Sequence, residues 1–441
     1  VVVSEHPVRL VVSDDLARDR LTVFFRWLLS IPHFIWIALW GIAALLTAVA
    51  NWIATLVLGR SPQPLYRFLA AYVKYVTQFY AYLHLVADPY PPFDGRAGYP
   101  VDVTIEPPAD QNRWTVALRG VLFIPAALLA TALVGAPSGT SSIGRRGTNF
   151  SLDWGLLRVA GVFGWFAIMA RGRMPRGLRD AAAYSISYGA QFWAYALLLT
   201  DRYPNSDPLA ALADIPLRDD PIRVELDDEL RRSRLTVFFR LLLSIPHLIW
   251  LALWGVVVLP AALVSWFATL FTGRSPAALH RFLSAYLRYE FHVLAFLYLA
   301  ANPFPGFVGR ADSYPFEVVI ADSARQNRWK VGFRLILAIP ALILSSVYGS
   351  LVASAALLGW FAGLATAKMP LGLRNAAALA LRYHAQTTGY LLLVTDSYPY
   401  SGPSLNATAA TTAPAPLQPA PLQPPLPPAP GPSAPPPSSA S

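Results

Sequence analysis

The sequence predicts a mainly α-helical integral membrane protein built from four tandem units. Each unit is a short strand, a transmembrane hairpin and an amphipathic helix, giving about eight spans in all. Three observations carry this reading. The 441-residue chain is 55% hydrophobic and only 14% charged, against roughly 25% charged in an average soluble domain. Its apolar residues lie in long unbroken runs. And three ordered sequence anchors recur four times along the chain, the mark of a repeat architecture.

The first anchor reads RLTVFFRWLLSIP at 20–32 and RLTVFFRLLLSIP at 234–246, with weaker copies RWTVALRGVLFIP at 113–125 and RWKVGFRLILAIP at 328–340. The second runs from a tryptophan to a basic residue and a proline: Trp52 to Pro62, Trp165 to Pro175, Trp266 to Pro276 and Trp360 to Pro370. The third closes an aromatic-rich stretch with DPYP at 88–91, DRYP at 201–204, NPFP at 302–305 and DSYP at 396–399. The boundaries that follow are a first membrane domain at 1–205 (units 1 and 2), a linker at 206–220, a second membrane domain at 221–400 (units 3 and 4), and a disordered Pro/Ala-rich tail at 401–441.

Each unit opens with alternating, β-branched residues: 8–13, 101–106, 222–226 and 316–321. Period-two alternation predicts a strand with one buried face. Asp19, Asn112, Ser233 and Asn327 then precede the first arginine of each unit. These residue types satisfy the free N–H groups of a first helical turn, so helices are expected from Arg20, Arg113, Arg234 and Arg328. The apolar run 20–58 would be about 58 Å long as one helix at ~1.5 Å per residue, against a hydrocarbon core of ~30 Å. That mismatch predicts a turn at Gly41, and at Gly255 and Gly349 in the third and fourth units. The second unit carries a polar insertion at 135–149 at the matching place, and polar backbone is excluded from lipid.

A basic turn and a third helix follow, about 65–86 in the first unit. Arg67, Lys74 and Gln78 fall on one stripe of it, which predicts an amphipathic helix at the membrane surface. With two spans per unit, the strands, basic turns and third helices share one face. The positive-inside rule makes that face cytoplasmic, together with the N-terminus and the tail. The charged first twenty residues exclude a cleavable signal peptide, leaving the first span to direct insertion.

The motif R-x5-R-x4-I-P-H (Arg20, Arg26, Ile31, Pro32 and His33; again Arg234, Arg240, Ile245, Pro246 and His247) resembles the membrane family called domain of unknown function 4389. The W-F-A-x-L-x-x-G-R-x-P run from Trp266 to Pro276 and the terminal DPYP and DRYP resemble it too. The resemblance covers about 8–400 as two tandem copies. It implies a membrane location and supplies no catalytic residue. The second and fourth units lack the histidine after Pro125 and Pro340.

Composition and motifs narrow the function. The chain has no cysteine, which excludes a disulfide framework and thiolate chemistry. Its seven histidines form no H-E-x-x-H or H-x3-H pair, so no metal and no cofactor is expected. There is no G-x-S-x-G and no glycine-rich phosphate loop. No Asp or Glu lies in 21–58, 235–272 or 329–367, which argues against proton-coupled transport. Glu290 is expected to pair with Arg288. Ser30 and Ser244 are placed to bond back to a helix carbonyl.

The formal charge of +10 flanks the apolar runs, the pattern of a membrane surface rather than of nucleic-acid binding. The candidate headgroup-binding residues are Arg20, Arg26, Arg60, Arg67, Arg234, Arg240, Arg274 and Arg281, with anionic lipid as partner and the proline-rich tail as a protein tether. The deeper arginine of each unit needs a counter-group, either a headgroup or a carboxylate such as Asp14 or Asp228. The expectation is a membrane scaffold or lipid-associated envelope component with no catalytic residue assigned. A channel or small-solute permease and an intramembrane lipid-modifying enzyme are the alternatives, the last marked by a buried His beside a Ser.

Overall fold

The computed structural model describes residues 6–136, 154–211 and 218–407. One order of elements recurs. The first unit is β1 (Val8–Val12), α1 (Arg20–Phe24), α2 (Arg26–Leu29), α3 (Ile31–Leu58) and α4 (Gln63–Leu83). The second is β2 (Val101–Ile105), α5 (Arg113–Ala117), α6 (Arg119–Val134), α7 (Leu156–Arg171) and α8 (Arg176–Ala196). The third is β3 (Ile222–Leu226), α9 (Arg234–Phe238), α10 (Arg240–Thr272) and α11 (Ala277–Leu297). The fourth is β4 (Phe316–Ile320), α12 (Arg328–Gly332), α13 (Arg334–Thr366) and α14 (Leu371–Leu391), followed by β5 (Asn406–Ala407).

The caps explain where the helices start. The Asp19 carboxylate accepts from the Thr22 N–H, Asn112 from Trp114, and Asn327 from Trp329 and Lys330. Ser233 occupies the same place without a side-chain cap bond. The four predicted strands form two separate antiparallel pairs, Val8 opposite Ile105 in the first half and Ile222 opposite Ile320 in the second.

The predicted hairpin turns are absent. The helix runs unbroken through Gly41, Gly255 and Gly349. Glycine weakens a helix by about 1 kcal/mol without ending it, and the flanking residues offer no cap or breaker. Three helical stretches of 33 residues result, Arg26–Leu58, Arg240–Thr272 and Arg334–Thr366, each long and apolar enough to cross a membrane. In the second unit the insertion buds from the middle of such a helix. A Cβ on Gly155 would fall 2.1 Å from the Gly135 nitrogen, so α6 and α7 meet end to end, and α13 packs along both. Residues 137–149 of the insertion lie outside the described residues.

Three layers stack. Each third helix packs against a long helix on one side and a strand on the other: α4 between α3 and β2, α8 between α6/α7 and β1, α11 between α10 and β4, and α14 between α13 and β3. The third helices are therefore covered on two sides, not laid with one face free. Gln78, on the supposed polar stripe of α4, is buried and donates to the Arg96 carbonyl at 2.9 Å. In α14 the run Ala376–Ala380 is wholly buried, because small side chains admit close neighbours on both sides.

The strands lie lengthwise in this stack. Tyr99, just before β2, donates to the Pro89 carbonyl just past the end of α4, at 2.6 Å. Tyr66, near the start of α4, donates to the Glu106 carbonyl just past the end of β2. β2 therefore runs antiparallel along α4, turning Val101 and Val103 inward and Thr104 outward. The halves join where α13 meets α6 and α7, with Asn375 donating to Asp207 and Tyr400 to Asp180, both at 3.0 Å. The tail begins later than expected. Leu405 is buried, Arg382 donates to the Gly402 carbonyl at 2.6 Å, and β5 pairs with β3. The proline-rich stretch after Ala407 lies outside the described residues.

Candidate functional site

The long helices α3 and α10 are amphipathic in an inverted sense. The buried positions of the first are Arg26, Ser30, His33, Ala44, Asn51 and Thr55. In the second they are Arg240, Ser244, His247, Val258, Ser265 and Thr269, at identical spacing. The stripe facing the protein is polar. Leu28, Ile35, Leu46, Leu242, Val256 and Phe271 are among the apolar residues left exposed. Water would drive the opposite arrangement.

Each of these buried polar side chains makes at least one hydrogen bond, although Nε2 of His33 and of His247 is buried without a partner. Ser30 and Ser244 donate to the Arg26 and Arg240 carbonyls at 2.7 and 2.8 Å, as the sequence suggested. His33 Nδ1 lies 2.7 Å from the Tyr75 hydroxyl, and His247 Nδ1 lies 2.8 Å from that of Tyr289. Both imidazoles sit among aromatic rings, Phe93 and Phe307 nearest at 4.4 Å between centroids. These are packing histidines.

The deeper arginine of the first, third and fourth units brackets the end of its third helix, whereas Arg119 of the second reaches side chains there and no carbonyl. Arg26 Nη1 donates to the Tyr82 and Ala87 carbonyls at 2.7 and 3.1 Å, and Nη2 pairs with Asp88 at 2.6 Å. Arg240 engages Phe296, Ala301 and Asn302. Arg334 engages Tyr390, Thr395 and Asp396. Arg119 pairs with Asp201 at 3.0 Å and lies over the Tyr195 ring. Carbonyls at a helix C-terminus have no intrahelical partner and carry the negative end of the helix dipole, so a guanidinium fork suits them.

The bracket also holds a strained turn, since Leu85, Leu198, Leu299 and Leu393 all take left-handed backbone, which costs an L-residue about 1–2 kcal/mol. The third sequence anchor supplies a carboxylate at Asp88, Asp201 and Asp396 and a neutral carboxamide at Asn302. Asp14 and Asp228 pair instead with Arg18 and Arg232. The recurrence of that Asp or Asn beside an aromatic-Pro turn was the available signal.

The eight candidate headgroup arginines separate. Arg26 and Arg240 are buried in these brackets. Arg20, Arg60, Arg67, Arg234, Arg274 and Arg281 are exposed. Arg26, Arg60 and Arg67 do not converge: Arg26 grips the C-terminal end of α4, whereas Arg67 lies fifteen residues before Tyr82 on that helix. Arg20 and Arg234 donate to the Ala170 and Ala365 carbonyls, at the far end of the neighbouring unit's long helix. The indoles of Trp52, Trp266 and Trp360 likewise donate to Val116, Val331 and Val237. Long helices within a half are therefore antiparallel, and basic residues occupy both ends, Arg20 and Arg173 at one, Arg60 and Arg113 at the other. The single basic face expected from hairpins is not formed.

Two further expectations resolve. Arg288 faces Glu317 at 3.5 Å rather than Glu290. Glu290 Oε2 is buried without a hydrogen-bond partner, and burial pushes its carboxyl up to about 7. Ser345 Oγ does lie 2.8 Å from His384 Nδ1. The other ring nitrogen is buried without a partner, so no carboxylate orients the imidazole as a nucleophile-activating base requires. Among the described residues no group of three His, Asp or Glu side chains is placed to hold a metal.

No curated protein and no solved structure matches the chain. The family model for a domain of unknown function, DUF4389, matches three times, at residues 20–94, 234–308 and 328–401. Each match is one long-helix and third-helix unit, so the family's module is the single unit and the copies number three rather than two. The second unit, interrupted by its insertion, falls outside the matches. Together they take in a little over half of the residues, and the chain belongs to the DUF4389 family.

Proposed function

We propose that this chain is a lipid-associated structural protein of the cell membrane whose long helices lie along the bilayer plane, sunk in its cytoplasmic leaflet. The observation that carries this reading is the opposition of two lengthwise layers. One exposes the apolar outer faces of α3 and α10. The other carries Arg9, Asp102 and Thr104 on β1 and β2, and Arg223 and Glu225 on β3. A bilayer perpendicular to the helices would hold those strands and their open edges near its midplane, where unsatisfied backbone and charge are excluded. A bilayer parallel to the layers leaves the strands in water. A helix is about 10 Å across, which one leaflet of a ~30 Å core accommodates.

In this reading Arg20, Arg60, Arg67, Arg234, Arg274 and Arg281 are the contacts to anionic headgroups. The proline-rich segment beyond Ala407 is the place for a protein partner. The competing multi-pass arrangement puts the two ends of α3 on opposite sides of the membrane, and the absence of native cysteine makes the difference measurable. Asp15→Cys and Arg60→Cys, one near each end, should react with a membrane-impermeant thiol reagent from the same, cytoplasmic side. Reaction from opposite sides would replace the in-plane reading with the crossing one.

A further inference from the structure

A cavity of about 610 Å³ opens between α1–α3 and α7 in the first half, within the range of sites that hold small amphiphilic ligands. Phe24, Trp27, Val162 and Trp165 wall it with apolar surface, and the end of α4 floors it with His84. Arg158 joins this lining from α7. Its Nη2 donates to the Ala136 carbonyl at 2.8 Å, and no carboxylate among the described residues pairs with it. A cation set in apolar surroundings without a counter-ion is an unbalanced charge. His84 adds no second charge, because burial holds the imidazole down to about 4, and its Nδ1 lies 3.0 Å from the Tyr80 carbonyl.

The second half builds nothing of the kind from its sequence. There Met369 packs on Gly359 as Met174 packs on Gly164, which fixes the correspondence of α7 with the second part of α13. The residues matching Arg158, His84 and Trp154 are Ala353, Tyr298 and Gly349. The first-half site is thus a local addition to a repeated frame.

We propose that this groove binds one anionic phospholipid of the surrounding membrane, its acyl chain along the aromatic walls and its phosphate on Arg158. The occupant follows from the two chemistries in contact: chain-shaped apolar walls that open within the exposed apolar layer, and the Arg158 guanidinium, which no carboxylate among the described residues pairs with and which is a strong partner for phosphate oxygens. The inference rests on the membrane reading above, and its test separates the two.

The protein is extracted from membranes in mild detergent, and phosphatidylglycerol and phosphatidylcholine are offered in equal amounts. Native mass spectrometry then counts the lipids retained per chain. Wild type should hold one phosphatidylglycerol in preference to phosphatidylcholine. Arg158→Gln should weaken its retention roughly tenfold, as loss of a charge-assisted hydrogen bond implies, while Arg158→Lys keeps most of it. Val162→Trp, which fills the groove from an exposed wall position, should displace the lipid whatever its charge, and Arg223→Gln, on the strand layer away from the groove, should change nothing. Wild-type retention in both Arg158→Gln and Val162→Trp overturns the site. A wild type that is found in the membrane fraction yet keeps no lipid also overturns it and leaves the membrane reading standing. A wild type absent from the membrane fraction overturns both.

Discussion

His33 meets Tyr75 at 2.7 Å in the first half, and His247 meets Tyr289 at 2.8 Å in the second. Arg26 and Arg240 grip carbonyls at identical sequence separations, 56 and 61 residues away. Beside these repeats stand residues that are not repeated. Arg158 and His84 of the first half correspond to Ala353 and Tyr298, and Val76 of the first half corresponds to Glu290 of the second. The repeated set is what closes the first unit of each half: a buried guanidinium on helix carbonyls, an imidazole on a phenol, a serine on its own helix. The unrepeated set lines spaces that the frame leaves available. Where two copies in one chain differ, the difference marks a place free of the demands of folding, and specialisation is to be sought there.

The strongest test of that division is to remove a repeated group from each half. Arg26→Ala and Arg240→Ala should each destabilise by about 3 kcal/mol, because each removes charge-assisted hydrogen bonds from two helix-end carbonyls. Chemical unfolding in detergent micelles measures this. The two losses should be similar. Arg→Lys at either site should recover little, since an ammonium cannot span two carbonyls and a carboxamide or carboxylate with one fork. A loss confined to one half would break the equivalence.

Glu290 sharpens the comparison from the other side. Its folded-state pKa, about 7, lies above the ordinary carboxyl value of 4.5. The folded state therefore keeps a proton that the unfolded chain has already released. Stability should be intact below about pH 4.5, decline as pH rises toward 7, and level off above it. The cost at neutral pH is on the order of 3 kcal/mol. Glu290→Val, which installs the first-half residue, should abolish that decline in unfolding curves collected from pH 4 to 8. A pH dependence that survives the substitution would assign it elsewhere.

The smallest effect bears on helix continuity. A Cβ on Gly255 meets nothing within 4 Å, whereas one on Gly41 would lie 3.3 Å from the Tyr72 hydroxyl. In an unbroken helix Gly255→Ala should stabilise by about 0.5–1 kcal/mol. Gly41→Ala should gain less because Tyr72 must shift. Destabilisation at Gly255, seen as a lower thermal midpoint, would restore the hairpin turn.

Much of the frame was legible in the sequence because its causes are local. Asp19 and Asn112 announce helix starts, β-branched alternation announces Val8–Val12, and the R-x5-R pair announces a second arginine that needs a partner. The path of the long apolar runs was not legible. Hydrophobicity constrains how much of a helix lies in lipid but not its direction, and glycine fits a helix interior as readily as a turn. The insertion after Gly135 misled for a related reason. A polar loop marks exit from lipid, yet it can leave a helix and rejoin it when a neighbour, here α13, holds both segments in line. The partners of Arg26 and Arg334 lay 62 residues away, beyond any local periodicity. Arg158 gave no sign of its surroundings, because the groove is assembled from α1, α4 and α7 only after folding.

The indoles that reach across each half have a consequence for how such chains can be assembled. Trp52 is satisfied by a carbonyl of the following unit, and Trp360 by one of the preceding unit. Arg20 and Arg234 lend their charge to a neighbour's helix end in the same reciprocal way. A single module is therefore an open valence, and two are needed to close it. Closure imposes parity. A chain cut between its halves keeps these reciprocal pairs whole and opens only the seam of α13 on α6 and α7, while a cut within a half yields fragments that must find each other. A relative carrying one module alone would satisfy the same valence by pairing with a second copy of itself.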